Sequence, residues 1–276
     1  MINIFYINLD TRVDRQDNII QQMSNLNLVA QRVSASVGKD LSVEEKSFID
    51  YDKFLCLMKR TITDGEIGCA LSHRRIWKYI LENDIDYALV MEDDVIFDKR
   101  LVEVISDCQN YEYFDFINFS TTTPYSYDSQ VARSFIDKGM YNRPKCPQLL
   151  KEWGLLEWRN KWRIYKLKPI TDELTICECD PAPALGSGYI ISKKAAFEFL
   201  QSSNHLFYPI DYVWRFATGE LKQGFISIPL IVHTQADSDI LGRDRKFRLS
   251  VKQRAHRLLL KRARRNRIRD VKKMYG

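Results

Sequence analysis

Ile2-Asn3-Ile4-Phe5-Tyr6-Ile7-Asn8-Leu9 is an almost unbroken run of β-forming residues. A run with so little polar alternation suits a strand covered on both faces of a sheet. Behind it Asp10 and Thr11 offer helix caps, Asp14 falls in a first turn, and Ile19, Ile20, Met23 and Leu26 recur at helical spacing. The order is therefore strand, turn, helix. Residues 34–62 are less periodic and predict loops with one short helix. Thr63-Asp64-Gly65-Glu66 forms a capping box, each end's side chain meeting the other's backbone N–H. The helix it opens carries Ile67, Ala70, Leu71, Trp77, Ile80 and Leu81 at core spacing and ends near Glu82-Asn83-Asp84. Tyr87–Met91 predicts a second buried strand and Phe114–Phe119 a third. Gly186–Ser192 reads as a glycine-led strand with a helix from Lys193 to Leu200 after it, and Gly224–Val232 as a late strand. Residues 120–175, rich in Thr, Ser, Tyr and Trp, read as an insertion or acceptor lid. Trp153, Trp158 and Trp162 within it suit core or lid packing, or the face of a sugar ring. Strands alternating with helices predict an α/β fold.

Composition changes this picture little, and charge changes it more. With 276 residues, 45% hydrophobic and 28% charged, the chain can bury one large α/β core. No stretch approaches the roughly 20 apolar residues of a membrane span, and the N-terminus lacks the features of a signal peptide, so an intracellular protein is expected. Cysteines at 56, 69, 108, 146, 177 and 179 fit no zinc spacing and read as free thiols. Residues 243–276 hold 15 Lys and Arg against Asp244 and Asp270, a net of +13; with the whole chain at +6, residues 1–242 carry −7. An acidic body of residues 1–242 is thus expected to precede a basic helical tail of residues 243–276.

Glu92-Asp93-Asp94 follows the strand Tyr87–Met91 directly. Like charges this close repel unless something compensates them, and hard oxygen ligands suit Mg²⁺ or Mn²⁺. In open α/β sheets ligands bind beyond the carboxyl ends of strands. Alternation along a strand lets Glu92 and Asp94 share one side while Asp93 turns away. The other reading of the triplet is a solvated acidic turn.

Thr63-Asp64-Gly65-Glu66-Ile67-Gly68-Cys69-Ala70-Leu71-Ser72-His73, followed by Leu89-Val90-Met91-Glu92-Asp93-Asp94, resembles the core motif of glycosyltransferase family 25. That family includes lipooligosaccharide transferases of Gram-negative bacteria and the collagen galactosyltransferases. Ile7-Asn8-Leu9-Asp10 with Arg12 and Arg15, Gly186–Ala195, and Pro209-Ile210-Asp211 with Gln235 and Ser238 resemble its other segments. The resemblance covers roughly residues 1–242, with a gap across 120–175. It implies a GT-A-type, Rossmann-like α/β fold with a mixed, mostly parallel sheet. It also implies inverting transfer of a hexose, galactose first and glucose next, from a UDP-sugar to a lipooligosaccharide or lipopolysaccharide glycan, forming a β-linkage.

On that resemblance Asp94 and Glu92 are the expected metal ligands for Mn²⁺ or Mg²⁺, with Glu92 alternatively on ribose and His233 a further candidate ligand. Asn8, Leu9, Asp10 and Arg15 are expected at the donor's nucleoside and phosphates, Asp10 alternatively as a helix cap. Gly68, Ser72 and His73 are expected at substrate or phosphate, Gly68 alternatively at a close approach to a strand. Asp93 is expected at the sugar or as a turn cap. Gly186, Ser187 and Gly188 are expected where backbone meets a bound sugar, or as a tight strand entry. Asp211 is the candidate base on the acceptor hydroxyl, or a helix N-cap, or both.

In the tail, Val251, Ala255, Leu258 and Leu259 recur at helical spacing among Arg248, Lys252, Arg254, Arg257, Lys261, Arg262, Arg264, Arg265 and Arg267. A cationic amphipathic helix suits an anionic membrane surface, where a lipid-linked oligosaccharide acceptor resides. The expected location is therefore cytoplasmic, peripheral on the inner face of the inner membrane. A helix docked on the acidic body is the alternative. A metal-dependent nuclease would also use an acidic cluster and a basic tail, but leaves Gly65–His73 and Gly186–Ala195 without a task, so no nucleic acid is expected. A non-catalytic sugar- or membrane-binding protein is the third reading.

Overall fold

The computed structural model describes residues 2–125, 163–234, 247–262 and 264–275. Its strands are β1 (Asn3–Asn8), β2 (Gln31–Ser34), β3 (Tyr87–Glu92), β4 (Val95–Phe97), β5 (Phe116–Asn118), β6 (Arg163–Pro169), β7 (Thr175–Asp180), β8 (Gly188–Ser192), β9 (Gln223–Ile226) and β10 (Ile231–His233). Its α-helices are α1 (Val13–Asn25), α2 (Tyr51–Met58), α3 (Asp64–Glu82), α4 (Leu101–Ile105), α5 (Lys193–Ser202), α6 (Val251–Arg262) and α7 (Arg265–Tyr275).

Eight strands make one sheet in the order β2-β1-β3-β8-β5-β9-β7-β6, and β4 pairs with β10 in a two-stranded ribbon. β1 runs parallel to β2 and β3, and β5 parallel to β9. β8 is antiparallel to β3 and β5, β7 to β9 and β6. The sheet is mixed, as expected, and less parallel than the strand–helix alternation suggests. β6 and β7 are joined by a short hairpin connection, which can only return antiparallel, and β8 inserts in reverse between two parallel groups.

The unbroken apolar strands are covered on both sides. Phe5, Ile7, Ala88, Val90, Tyr189 and Ile191 pack with Trp77 and Ile80 of α3 and Phe199 of α5. Their alternates Ile4, Tyr6, Leu89, Met91 and Ile190 pack with Ile19 and Met23 of α1 and Val104 of α4. The Thr63–Glu66 capping box is present in both directions at the start of α3.

Several boundaries move. Gly224–Val232 is two strands, because Pro229 has no N–H for a ladder and the chain leaves the main sheet before β10. Arg163–Pro169, placed by the sequence in the insertion, is the edge strand of the main sheet. Residues 126–162 of the insertion, with Trp153, Trp158 and Trp162, lie outside the described residues, as do Gln235 and Ser238. α1 has Arg12 at its N-cap with no side-chain cap, because Asp10 instead accepts from Arg32 and from Ser34 Oγ.

The tail docks on the body. Arg257 Nε donates to Leu57 O of α2 (3.0 Å), and Phe247 N to Lys59 O (2.6 Å). On α7, Arg267 is buried: its guanidinium pairs with buried Asp180 and donates to Gly219 O (2.6 Å) and Leu221 O (2.8 Å). Gly219 N donates to Asp270, the Tyr275 hydroxyl to Glu178, and the Tyr275 ring stacks on Tyr165. The docked-helix alternative thus holds for α7, which reaches the acidic residues of β7. Among the described residues no helix is long and apolar enough to cross a membrane.

Candidate active site

At the carboxyl ends of β1 and β3 lies a cavity of about 800 Å³, walled by Leu9, Arg15, Ser36–Lys39, Arg60, Glu66, Cys69, Ser72, His73, Glu92–Asp94, Leu185, Gly186, Tyr189, Asp211, Tyr212, Trp214, His233 and Thr234, among others. This is the volume of a small-molecule site, generally about 300–1,000 Å³.

The acidic triplet divides as strand alternation implies. Asp93 turns inward, accepting from Asn8 Nδ2 (2.7 Å) and Arg15 Nη1 (3.1 Å). Burial pushes its carboxyl above the usual range despite those two partners. Glu92 and Asp94 gather instead with His233, Asp94 also lying 3.6 Å from Arg15 Nη1. The ribbon of β4 and β10 sets His233 opposite Val95, so His233 Nδ1 donates to Asp94 Oδ1 (3.2 Å) and Thr234 N to Asp94 O (2.8 Å). Glu92, Asp94 and His233 each bring one ligand atom, all within 4.8 Å of one another. Burial would raise Asp94, but the His233 hydrogen bond and the charges of His233 and Arg15 outweigh it and hold the carboxyl below its ordinary value. His233 is raised in return, chiefly by Asp94.

A second set shares Glu92. Cys69 Sγ, His73 and Glu92 also gather within 4.8 Å. His73 is 3.5 Å from Glu92 through Nε2, and its Nδ1 lies 2.7 Å from the Tyr189 hydroxyl. The same hydroxyl accepts from Trp77 Nε1 (3.0 Å), so one oxygen joins two side chains of α3. His73 is thereby held beside Glu92, with its Nδ1 engaged. The soft thiol of Cys69 is a poorer partner for a hard cation than the second carboxylate, Asp94, in the Glu92–Asp94–His233 group.

The other expected contact residues are engaged within the protein. Asn8 is buried and its amide is used up: Nδ2 donates to Arg12 O and Asp93, and Oδ1 accepts from Arg32. Asp10 is turned to Arg32 and Ser34. A Cβ on Gly68 would lie 2.2 Å from Ser36 O, so this glycine lets α3 close on the Ser36–Gly38 loop rather than on a ligand. Ser72 Oγ, inside the same contact, accepts from Ser36 N and donates to Gly68 O, each at 2.8 Å. A Cβ on Gly188 would meet Ile231 at 2.6 Å, and Ser187 is fully buried with its carbonyl accepting from Glu92 N. Of Gly186, Ser187 and Gly188, Gly186 alone lies on the cavity wall.

Asp211 sits in the first turn of the 3₁₀ segment Ile210–Arg215, whose N-cap is Pro209, so the N-cap reading does not hold. Its Oδ2 accepts from Leu185 N (3.2 Å). Leu185 is a non-glycine residue at φ +86°, fixed also by Asn118 Nδ2 on its carbonyl (2.7 Å). Such a conformation costs about 1–3 kcal/mol and persists where its surroundings impose it. Sequence reasoning missed Leu185, Tyr189 and the fork of half-buried Arg60 on buried Glu66 (2.7 and 2.6 Å) on the cavity wall. Arg60 carried no local signal; Tyr189 stood inside a quoted motif as a strand residue.

A sequence model of the family described as glycosyltransferase family 25 (LPS biosynthesis protein) matches residues 1–214. Human procollagen galactosyltransferase 2 is 31% identical over 112 residues, 38% of this chain and 18% of that protein. A glycosyltransferase 25 family member of Drosophila pseudoobscura pseudoobscura is 27% identical over 241 residues, 82% of this chain and 36% of the fly protein. Xenopus laevis procollagen galactosyltransferase 1-A is 34% identical over 115 residues, 38% of this chain and 19% of the frog protein. The chain thus matches little more than a third of the length of these relatives at most. With the motif residues gathered at one cavity of a GT-A-like α/β fold, and with the family match running over residues 1–214, the chain belongs to glycosyltransferase family 25.

Proposed function

We propose that the chain is a glycosyltransferase moving a hexose, galactose first and glucose next, from a UDP-sugar to a glycan acceptor. The reading rests on one observation: Glu92, Asp94 and His233 bring ligand atoms within 4.8 Å of one another on the wall of a cavity large enough for a nucleotide sugar. Two carboxylates and an imidazole suit Mn²⁺ or Mg²⁺ and leave coordination positions for diphosphate oxygens. When bound, the ion neutralises the charge that builds on the UDP leaving group.

The chain's own residues do the rest. Asp94, Glu92 and His233 are the residues that would hold the ion beside the donor's diphosphate. Arg15, ion-paired to Asp93 and Asp94, adds a fixed positive charge beside it. His73 and Tyr189 keep the Glu92 carboxylate from rotating. Asp211, held by Leu185 N, takes the proton of the acceptor hydroxyl as that oxygen attacks the anomeric carbon opposite UDP, so the product is β-linked. Relatives named as galactosyltransferases favour galactose. The family description favours a lipopolysaccharide or lipooligosaccharide acceptor.

The test is UDP release from UDP-galactose and UDP-glucose with and without Mn²⁺ or Mg²⁺, beside thermal melting with UDP plus metal. Metal-dependent release from one of the two, with a raised melting temperature, is expected. The absence of both release and stabilisation would overturn the reading.

A further inference from the structure

The apolar stripe of the tail is not the face by which the tail docks. α6 rests on α2 through Arg257, whose Nε donates to Leu57 O, and Leu249 and Leu260 of this segment are buried. Val251, Ala255, Leu258 and Leu259 recur at i, i+4, i+7 and i+8, which places them together on the opposite side of the helix. There Val251 is 83% exposed, Leu258 62% and Leu259 59%. Arg254 and Lys261 flank the stripe on one side and Lys252 on the other, all exposed, and α6 contains no acidic residue.

We propose that this outward face of α6 binds the surface of an anionic lipid bilayer, lying in the interface with its leucines among the acyl chains. An apolar centre with basic margins matches a surface whose interior is hydrocarbon and whose headgroups carry negative charge. A nucleic acid would meet the charge but set four apolar side chains against phosphates. The docked face and the Arg267 anchor on α7 hold α6 to the body, so the membrane would carry the folded domain rather than a loose tail.

The full chain is tested by flotation with phosphatidylcholine vesicles and with vesicles of phosphatidylcholine and phosphatidylglycerol, which asks nothing about sugar transfer. Preference for the anionic vesicles is expected. Lys252→Gln/Arg254→Gln/Lys261→Gln is expected to weaken that binding by on the order of 100-fold, from three charges each near a lipid surface. Leu258→Asp/Leu259→Asp is expected to weaken it by at least about tenfold and to leave no salt-resistant fraction. Both variants are melted beside the parent, because Arg254 Nε also donates to Leu249 O (3.2 Å), and binding is compared between folded proteins. Equal binding to both vesicle types, vesicle binding by the variants at parental strength, or retention of duplex DNA with no vesicle binding would each overturn the proposal. So would loss of self-association in the leucine variant without any change in vesicle binding.

Discussion

Tyr189 and His73 share a buried hydrogen bond of 2.7 Å that ties β8 to α3 beneath the metal-ligand candidates. Trp77 donates to the same hydroxyl, so one oxygen holds two side chains of α3 and, through His73, the orientation of Glu92. The two most recognisable sequence segments meet here, although 116 positions separate the residues.

Tyr189→Phe should therefore be costly beyond the loss of one oxygen. It leaves Trp77 Nε1–H and His73 Nδ1 buried without their partner, at about 1–3 kcal/mol for each group so stranded. Denaturant titration should show a lower midpoint with an unchanged slope. Turnover should fall as well, because the hydroxyl that holds His73 beside Glu92 is gone. A parental midpoint would show that the network does not carry stability.

Gly68→Ala separates packing from ligand contact. Alanine favours a helix interior by about 1 kcal/mol over glycine, so an unobstructed site would gain stability. The approach of Ser36 O to 2.2 Å from the added Cβ predicts the reverse, a net loss of about 1–3 kcal/mol as backbone is displaced. Thermal melting decides the sign.

Arg267→Ala tests whether the tail belongs to the domain. The substitution strands Asp180 in a buried position and leaves the carbonyls of Gly219 and Leu221 without their donor. Removing one partner of a buried pair costs about 3–5 kcal/mol. Arg267→Lys should recover only part, since an ammonium cannot replace the guanidinium fork. A loss under about 1 kcal/mol would mean that α7 is dispensable to the fold.

What the sequence made legible was local or periodic. The Thr63–Glu66 box is a spacing of three, the continuous strands imply a doubly covered sheet, and alternation alone sends Asp93 away from Glu92 and Asp94. What it hid depends on distance in space. Arg60 reaches Glu66 across a helix boundary, and Arg267 finds Asp180 across 87 positions. A glycine's position says that something comes close without saying what: at Gly68 it is the backbone of Ser36, at Gly188 the side chain of Ile231. The apolar stripe of α6 was legible as a stripe, but only the packing of α6 on α2 shows that it faces outward.

The most direct measurement is the rate of UDP-sugar turnover by Asp94→Asn at saturating Mn²⁺, read beside its melting temperature. Asp94 lies on the cavity wall, bonded to His233 and within ligand distance of Glu92. The amide is neutral and a weaker ligand, so a folded variant should lose turnover by at least about 100-fold and lose the stabilisation that UDP and Mn²⁺ give the parent. A folded Asp94→Asn enzyme that turns over at near-parental rate would contradict the metal site at Glu92, Asp94 and His233.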